Sequence, residues 1–371
     1  MRPLQITVMR LQRMKSADAL AATDALIQTD NGKAWEEKMD IYKLDNGERQ
    51  MTRELYEEIF SEDSKAFVDY YYTEKTKDNQ IYAVKEDGKL CAMLHLNPYT
   101  LLVNGNEKQA HYIVAVATKE EYRKRGFMAT LIKRALQDMY QAGETFTYLM
   151  PAAEKIYLPH DFRTVYKQDI KYYQPGENEE GVEVSKAGEA DCEALAQWAN
   201  HVLGGRYQIF ARRDEAYYQR LIRECGSDGG SLMIYRENGE ITDCRLCFPD
   251  EEPKAEKPKI MVRIVDVRRM LMSVRLKSLM AACFCITDPI IPENNRCVTI
   301  TGTEFSGVML MDSKPENSEG TITVAALASL LFGAKSVDEV CEEEGVQMSE
   351  RMKGEMEKIV PLSQIYLNEV V

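Results

Sequence analysis

Residues 112–128 read YIVAVATKEEYRKRGFM and place three kinds of segment in direct succession. The apolar run Tyr112–Ala117 predicts a buried strand, and a basic turn with a glycine at residue 126 follows it. From Gly126 to Gln141 the apolar residues recur at the spacing of an amphipathic helix. This order predicts an α/β layer in the first half of the chain.

The turn has the chemistry of a phosphate site. A helix N-terminus presents backbone N–H groups that lack intrahelical partners, together with a partial positive charge. Gly126 allows the backbone to approach a ligand closely, and Arg123, Lys124 and Arg125 supply cations for a pyrophosphate. The alternative is a surface turn whose basic side chains are only solvated, and a short motif alone does not decide between the two.

Hairpin signals surround this stretch. Asp87-Gly88 and Asn104-Gly105 predict tight turns between strands on the N-terminal side. Further along, Asn238-Gly239 predicts a hairpin between strands near Ser231–Tyr235 and Thr242–Phe248. A charged, proline-rich segment over residues 249–259 then predicts a linker.

Composition excludes several classes of protein. The formal charge of −13 disfavours sequence-independent binding to nucleic acid and favours cationic partners. No apolar run approaches the roughly 18 residues that a membrane span needs. The first residues lack the apolar core of an export signal, so the nine cysteines are expected to be reduced thiols in a cytoplasm.

The same stretch carries a family resemblance. It resembles the acetyl-CoA motif of the GNAT acetyltransferases, Arg/Gln-x-x-Gly-x-Gly/Ala, which Arg123 and Gly126 match and Met128 does not. The larger pattern is similar to the enhanced intracellular survival (Eis-like) subgroup. The supporting stretches are Val114–Met128, Ala152–Phe162, Met261–Val267 and Val324–Val340.

The resemblance implies a mixed α+β and α/β architecture in several parts. A catalytic GNAT domain would occupy residues 39–180, after an N-terminal extension over residues 1–38. A short, degenerate GNAT-like region would follow over residues 181–255, too short to bind a second acetyl-CoA. An α+β domain resembling sterol carrier proteins would occupy residues 256–371.

The resemblance also assigns the co-substrate site. Val116, Ala117 and Thr118 would form the strand edge that pairs with the pantetheine arm of acetyl-CoA, since an amide-bearing arm can add to an exposed strand edge. The side chains of Phe127 and Met128 are expected to pack inward while their backbone N–H groups serve the ligand. The pyrophosphate would be held by Arg123, Lys124, Arg125, Gly126, Phe127 and Met128.

Two catalytic groups follow from the resemblance. Tyr157 would protonate the departing CoA thiolate, and the terminal carboxylate of Val371 would act as general base toward the amine. The alternatives are a tyrosine that only packs on a short helix and a frayed chain end. Ala152-Ala153 stands where the family often has Ser-Glu, and Asp161 stands where it commonly has glycine.

The expected activity is transfer of acetyl to a primary amine, either an aminoglycoside-like polyamine or a lysine side chain. The resemblance also implies a homo-oligomer, a trimer or hexamer. The alternative is a non-catalytic protein that binds a small molecule or lipid in its C-terminal domain. No metal site is expected, because Cys244 and Cys247 would point to opposite faces of one strand.

Overall fold

The computed structural model describes residues 40–173, 176, 181–248 and 257–369. The N-terminal extension, in which the sequence predicts a helix from Arg10 to Ile27, lies outside these ranges, and so does most of the predicted linker. The described chain alternates strands and helices, as the mixed fold class requires.

The first region carries the predicted strand meander followed by helix, strand and helix. Its elements are β1 (Ile41–Leu44), α1 (Arg53–Ile59), α2 (Lys65–Thr73), β2 (Gln80–Glu86), β3 (Lys89–Val103), β4 (Asn106–Thr118), α3 (Phe127–Gln141), β5 (Phe146–Leu149), α4 (Glu154–Tyr157) and β6 (Arg163–Lys167).

The middle region is smaller and pairs helices with a hairpin. Its elements are β7 (Val182–Lys186), α5 (Cys192–Gly204), β8 (Ile209–Ala211), α6 (Glu215–Ser227), β9 (Ser231–Glu237) and β10 (Glu240–Cys247). Strands β7, β9 and β10 form a three-stranded sheet, whereas β8 joins the sheet of the first region by pairing with β3.

The C-terminal region is an α+β unit around a five-stranded sheet. Its elements are β11 (Lys259–Ile264), α7 (Val267–Leu271), β12 (Arg275–Leu276), β13 (Met280–Thr287), β14 (Arg296–Thr303), β15 (Gly307–Ser313), β16 (Gly320–Thr323), α8 (Val324–Leu331), α9 (Val337–Cys341), β17 (Gln347–Met348), α10 (Glu350–Met356), β18 (Ile359–Val360) and β19 (Ile365–Tyr366).

The central sheet is built from distant parts of the chain. Its strand order is β1-β2-β3-β4-β5-β11-β6, so β11 lies between the last two strands of the first region. The predicted division at residue 256 assigns β11 to the C-terminal region, but its hydrogen bonds are with β5 and β6. Strand β19 also reaches this sheet, in parallel with β8.

The predicted hairpins are confirmed. Asp87 and Gly88, Asn104 and Gly105, and Asn238 and Gly239 all adopt positive φ angles, as the two-residue turns between antiparallel strands require. The sequence signal is strong here because the left-handed region favours Gly, Asn and Asp.

Apolar burial joins the first and C-terminal regions. One continuous cluster of buried side chains includes Phe146 of β5 and Phe332 after α8, whose rings lie 5.2 Å apart edge to face. All residues of α8 are buried. A second cluster lies under α3, and a separate one fills the middle region.

The cysteines correct one expectation. Cys285 and Cys297 are direct partners in the register of β13 and β14, and the structure has a disulfide between them. The expectation of reduced thiols is therefore wrong for this pair. Cys244 and Cys247 are not disulfide-bonded.

Candidate active site

Strands β4 and β5 stop pairing at the centre of the sheet, which leaves a gap between them. They pair in parallel only at Tyr112–Tyr148 and Ile113–Leu149, although β4 continues to Thr118. A bulge follows at once: Ala115 has a φ of 49°, and the register with β3 shifts opposite it. Bulges re-aim a strand and end its pairing. The β5-facing edge of β4 therefore lies open from this point.

The residues predicted to contact the pantetheine arm lie on this open edge. Ala117 and Thr118 are paired with β3 on their other side, to Met93 and Ala92. Val116 occupies the bulge. An extended ligand with amide groups can add to a strand edge of this kind by backbone hydrogen bonds.

The turn after β4 leads into the helix as expected. Lys124 and Gly126 both have positive φ angles, 62° and 82°, and α3 begins directly after Gly126. A Cβ atom at Gly126 would meet no other atom within 4 Å, so the space beside the helix N-terminus is open. The positive end of a helix that faces open space suits an anionic group.

The basic side chains of this turn do not behave alike. The Arg123 Nε donates to the Thr118 carbonyl oxygen at 3.3 Å, across the turn. The Arg125 guanidinium forms a bidentate pair with Glu86 and lies over the Tyr122 and Phe127 rings, 5.4 and 4.9 Å from their centroids. The charge of Arg125 is thus paired with Glu86. The space beside Gly126 is open.

Tyr157 shares an apolar cluster with residues at the gap where β4 and β5 stop pairing. Its ring is buried in the same cluster as Ile113 and Leu149, the last paired residues of β4 and β5. It meets the Phe162 ring edge to face at 5.9 Å. Burial raises the pKa of the Tyr157 phenol above its ordinary value, which keeps the phenol protonated at neutral pH. Phe127 and Met128 are buried in this cluster too, as expected.

Sequence reasoning missed a large cavity where the three regions meet. It has a volume of about 780 Å³ and is lined by Tyr99 of β3, Trp198 of α5, Arg213 and Tyr217 at the start of α6, and Glu369 near the end of the chain. These residues come from segments far apart in the sequence, and no motif or spacing links them. Only the fold brings them together.

Glu369 is the most unusual group in this cavity. Its side chain is 99% buried, and the Tyr217 phenol donates to Oε1 at 3.2 Å. Arg213 lies 3.5 Å away, while Oε2 has no hydrogen-bond partner. Burial raises the pKa of Glu369, although the Arg213 charge opposes this. Glu369 lines the cavity, and a carboxylate can accept a charge-assisted hydrogen bond from a cationic ligand.

The tail of the chain is anchored residue by residue as it reaches the cavity. Gln168 donates to the Leu367 carbonyl oxygen at 3.1 Å, and Tyr166 donates to the Asn368 side chain at 2.9 Å. The C-terminal residue Val371 lies outside the described residues, so the proposed carboxylate base stays a prediction. The described tail nevertheless ends at the cavity wall.

Comparison with known proteins identifies the first region. Residues 40–165 match the family model described as an acetyltransferase (GNAT) domain. The chain carries a GNAT acetyltransferase domain. Residues 269–368 match the model of a sterol carrier protein domain. The family resemblance, the fold class and the enzyme class expected from the sequence are thereby confirmed.

Solved structures resemble nearly the whole chain. A probable N-acyltransferase from Enterococcus faecalis has 15% identity and a TM-score of 0.69, a GCN5-related N-acetyltransferase from Kribbella flavida 12% and 0.70, and Eis1 from Mycobacterium abscessus 11% and 0.67. Each match covers 90% of this chain and 100% of the other. Identities this low show a shared fold alone. A search of curated protein sequences gives no significant match.

Within the described ranges no group of histidine, cysteine, aspartate or glutamate side chains is arranged to hold a metal ion. No helix in the described part of the chain is long and apolar enough to cross a membrane.

Proposed function

We propose that this GNAT chain transfers an acetyl group from acetyl-CoA to a primary amine by direct attack. The observation that carries the proposal is the gap between β4 and β5, because it joins an open strand edge, the start of α3 and the buried phenol of Tyr157. One side of the gap suits the amide-bearing arm and phosphates of the donor.

The acceptor would bind in the cavity lined by Tyr99, Trp198 and Glu369. Glu369 gives the cavity wall a carboxylate, and the aromatic walls suit the carbon skeleton between amines. A cationic acceptor also suits a chain of net charge −13. Aminoglycoside-like polyamines and lysine side chains are the acceptor classes that fit this proposal.

The proposed chemistry needs one base and one acid. The Val371 carboxylate removes a proton from the ammonium, directly or through water, and the free amine attacks the thioester carbonyl carbon. The new C–N bond forms as the C–S bond breaks, and Tyr157 gives its proton to the departing thiolate. The second proton, which the acetylated nitrogen then releases, returns the Tyr157 phenolate to a phenol. Holding the two reactants in line supplies much of the acceleration. Adding one residue after Val371 would then lower kcat.

The first test is calorimetric binding of acetyl-CoA. Wild type should bind, and Arg123→Ala and Gly126→Trp should weaken or abolish binding, because they remove a cation and fill the open space at the turn. Gly239→Trp is the matched control, since Gly239 is also a left-handed turn glycine with open space around it, in the middle region. Absence of binding by the wild type would overturn the proposal and favour a silent lipid-binding protein.

The proposal places the enzyme in the cytoplasm as a trimer or hexamer. Phe305, Met309 and Met311 lie exposed at and beside strand β15, and exposed apolar groups of this kind are common at protein interfaces. Light scattering of the purified protein would give the mass of the assembly, and a monomer would contradict this part of the proposal.

A further inference from the structure

A fully buried arginine lies at the junction between the GNAT domain and the C-terminal region. Arg263 of β11 has no exposed surface, and its Nη2 lies 2.6 Å from Oδ1 of Asp288 and 3.7 Å from Oδ2 of Asp161. Its Nη1 donates to the Ile264 carbonyl oxygen. Burying a guanidinium is costly unless carboxylates and hydrogen bonds surround it. The group therefore has a fixed position between two acidic side chains.

Asp288 fixes this arginine from the C-terminal side. Its Oδ1 also accepts from the backbone N–H groups of Ile290 and Ile291 at 2.8 and 3.0 Å, and its Oδ2 accepts from the Asn294 amide at 2.8 Å. Burial alone would raise the pKa of Asp288, but the hydrogen bond and the charge of Arg263 hold it below its ordinary value. Asp288 is thus a rigid, ionised partner.

Asp161 faces the arginine from the GNAT side, at the turn that follows Tyr157. Its backbone N–H donates to the Leu158 carbonyl oxygen at 3.1 Å, and the next N–H, of Phe162, donates to the Tyr157 carbonyl oxygen at 3.3 Å. Asp161 itself has a φ of 63°, a region that a non-glycine residue occupies only when its surroundings hold it there. Its Oδ2 is buried with Arg263 as its charged neighbour and has no hydrogen-bond partner.

The turn in question supports the phenol directly. The Phe162 ring, which follows Asp161 in the chain, lies 5.9 Å from the Tyr157 ring. His160 lies in the same turn, and burial together with the Arg263 charge lowers its pKa to about 4, so it is neutral at physiological pH. Arg163 is the other cation that acts on Asp161. The charges that face Arg263 are therefore those of Asp161 and Asp288.

We propose that Arg263 is a positioning residue for Tyr157. By attracting Asp161 it holds the turn from Leu158 to Phe162, and through Asp288 it ties that turn to the C-terminal region. The proposal rests on the proposed role of Tyr157 as the acid. It makes the sterol-carrier-like region a structural support of the acid.

Direct replacement of Arg263 is a poor test, because it leaves Asp288 buried without its partner and endangers folding. Asp161→Gly is sharper. Glycine adopts the left-handed conformation without strain, so this variant keeps the backbone turn and removes only the carboxylate. Asp87→Gly is the matched control, since Asp87 is an exposed aspartate with a φ of 51° in the β2–β3 turn.

The measurement is a double-mutant cycle of steady-state kinetics with acetyl-CoA and a primary amine. We expect Asp161→Gly to lower kcat about ten-fold with little change in the KM for acetyl-CoA, and Asp87→Gly to match the wild type. In a Tyr157→Phe background, Asp161→Gly should cause no further loss, because its effect acts through the phenol.

The outcomes distinguish a failure of the positioning role of Arg263 from a failure of the proposed acid role of Tyr157. If Tyr157→Phe keeps the full kcat, Tyr157 is not the acid, and the positioning role falls with it. Two results would leave Tyr157 as the acid and overturn the positioning role of Arg263. In the first, Tyr157→Phe is slow but Asp161→Gly has the kcat of the wild type. In the second, Asp161→Gly lowers kcat by the same factor whether residue 157 is phenylalanine or tyrosine. Thermal unfolding of each variant shows whether it is folded during the assay.

Discussion

At the scale of single residues, the environment of Tyr157 determines what its phenol can do. The ring is buried in the apolar cluster that also contains the last paired residues of β4 and β5, and burial raises its pKa. A phenol with a raised pKa stays protonated to higher pH than an exposed one. Tyr157 is therefore suited to donate a proton throughout the usual assay range and unsuited to act as a base.

Tyr157→Phe should lower kcat about 100-fold, within the range for removal of a general acid. The KM for acetyl-CoA should change little, since only the leaving thiolate needs the hydroxyl. Steady-state kinetics would measure both constants, with Tyr140→Phe on α3 as the control. A kcat within two-fold of the wild type would exclude Tyr157 as the acid.

Glu369→Gln should raise the KM for the amine about ten-fold or more and leave the Kd of acetyl-CoA unchanged. The reason is loss of a charge-assisted hydrogen bond to the ammonium, typically about 1.5–3 kcal/mol. Glu357→Gln, at an exposed position, is the control. An unchanged KM for every amine tested would remove Glu369 from the acceptor site.

The residues of the proposed donor site stand together in the sequence, and those of the proposed acceptor cavity do not. Arg123 and Gly126 belong to one short motif, in which a strand, a turn and a helix follow each other directly. Tyr217 and Glu369 meet only because the middle region folds against the tail, across 152 residues of chain. The motif alone does not predict that the Arg125 guanidinium pairs with Glu86 on β2.

At the scale of elements, local chemistry placed the hairpins and helix ends well. The apolar run over residues 325–332, followed by Gly333, is typical of a short helix that ends at a glycine. It agrees with α8 and with the φ of 70° at Gly333. The apolar run Met261–Val267 predicts a strand, which overlaps β11 as far as Ile264, whereas Val267 begins α7. Its neighbours in the sheet could not be predicted from local sequence. Strands β11 and β5 pair although the whole middle region lies between them in the sequence.

Two glycines of the C-terminal region should respond oppositely to alanine. A Cβ at Gly320 would lie 2.1 Å from the Gln347 carbonyl oxygen and 2.8 Å from the Met352 sulfur. Gly320→Ala should therefore lower the free energy of unfolding by about 2 kcal/mol or more, because the neighbouring backbone must move.

Gly354 lies exposed within α10, and a Cβ there would meet nothing within 4 Å. Gly354→Ala should raise the free energy of unfolding by about 0.5–1 kcal/mol, since alanine has less conformational entropy to lose in a helix. Urea unfolding of both variants measures the difference. Equal effects of the two substitutions would contradict the packing described for β16 and β17.

At the scale of the whole molecule, a buried histidine should set part of the acid sensitivity. His95 has no exposed surface, its Nδ1 lies 2.9 Å from the Tyr71 hydroxyl, and burial lowers its pKa to about 3. The unfolded chain takes up this proton near pH 6.5. Because the folded pKa is depressed, stability is complete above that pH and falls as the pH drops toward 3.

The expected loss of unfolding free energy from this histidine is about 2 kcal/mol between pH 7 and pH 5. His95→Asn keeps a partner for Tyr71 and has no proton to take up, so it should remove that part of the pH dependence. His201→Asn, at an exposed position, is the control. Urea unfolding at both pH values gives the comparison, and an unchanged pH dependence in His95→Asn would contradict the assignment.

The strand order of the central sheet also has a consequence for the order in which the protein is made. Strand β11 separates β5 from β6, yet it leaves the ribosome roughly ninety residues after β6. At about 5–20 residues per second, β5 and β6 wait between roughly 5 and 20 seconds with open edges. Open strand edges invite pairing with other chains. We therefore expect newly made chains to depend on chaperones during that interval, and acetyl transfer to begin only after β11 has been synthesised.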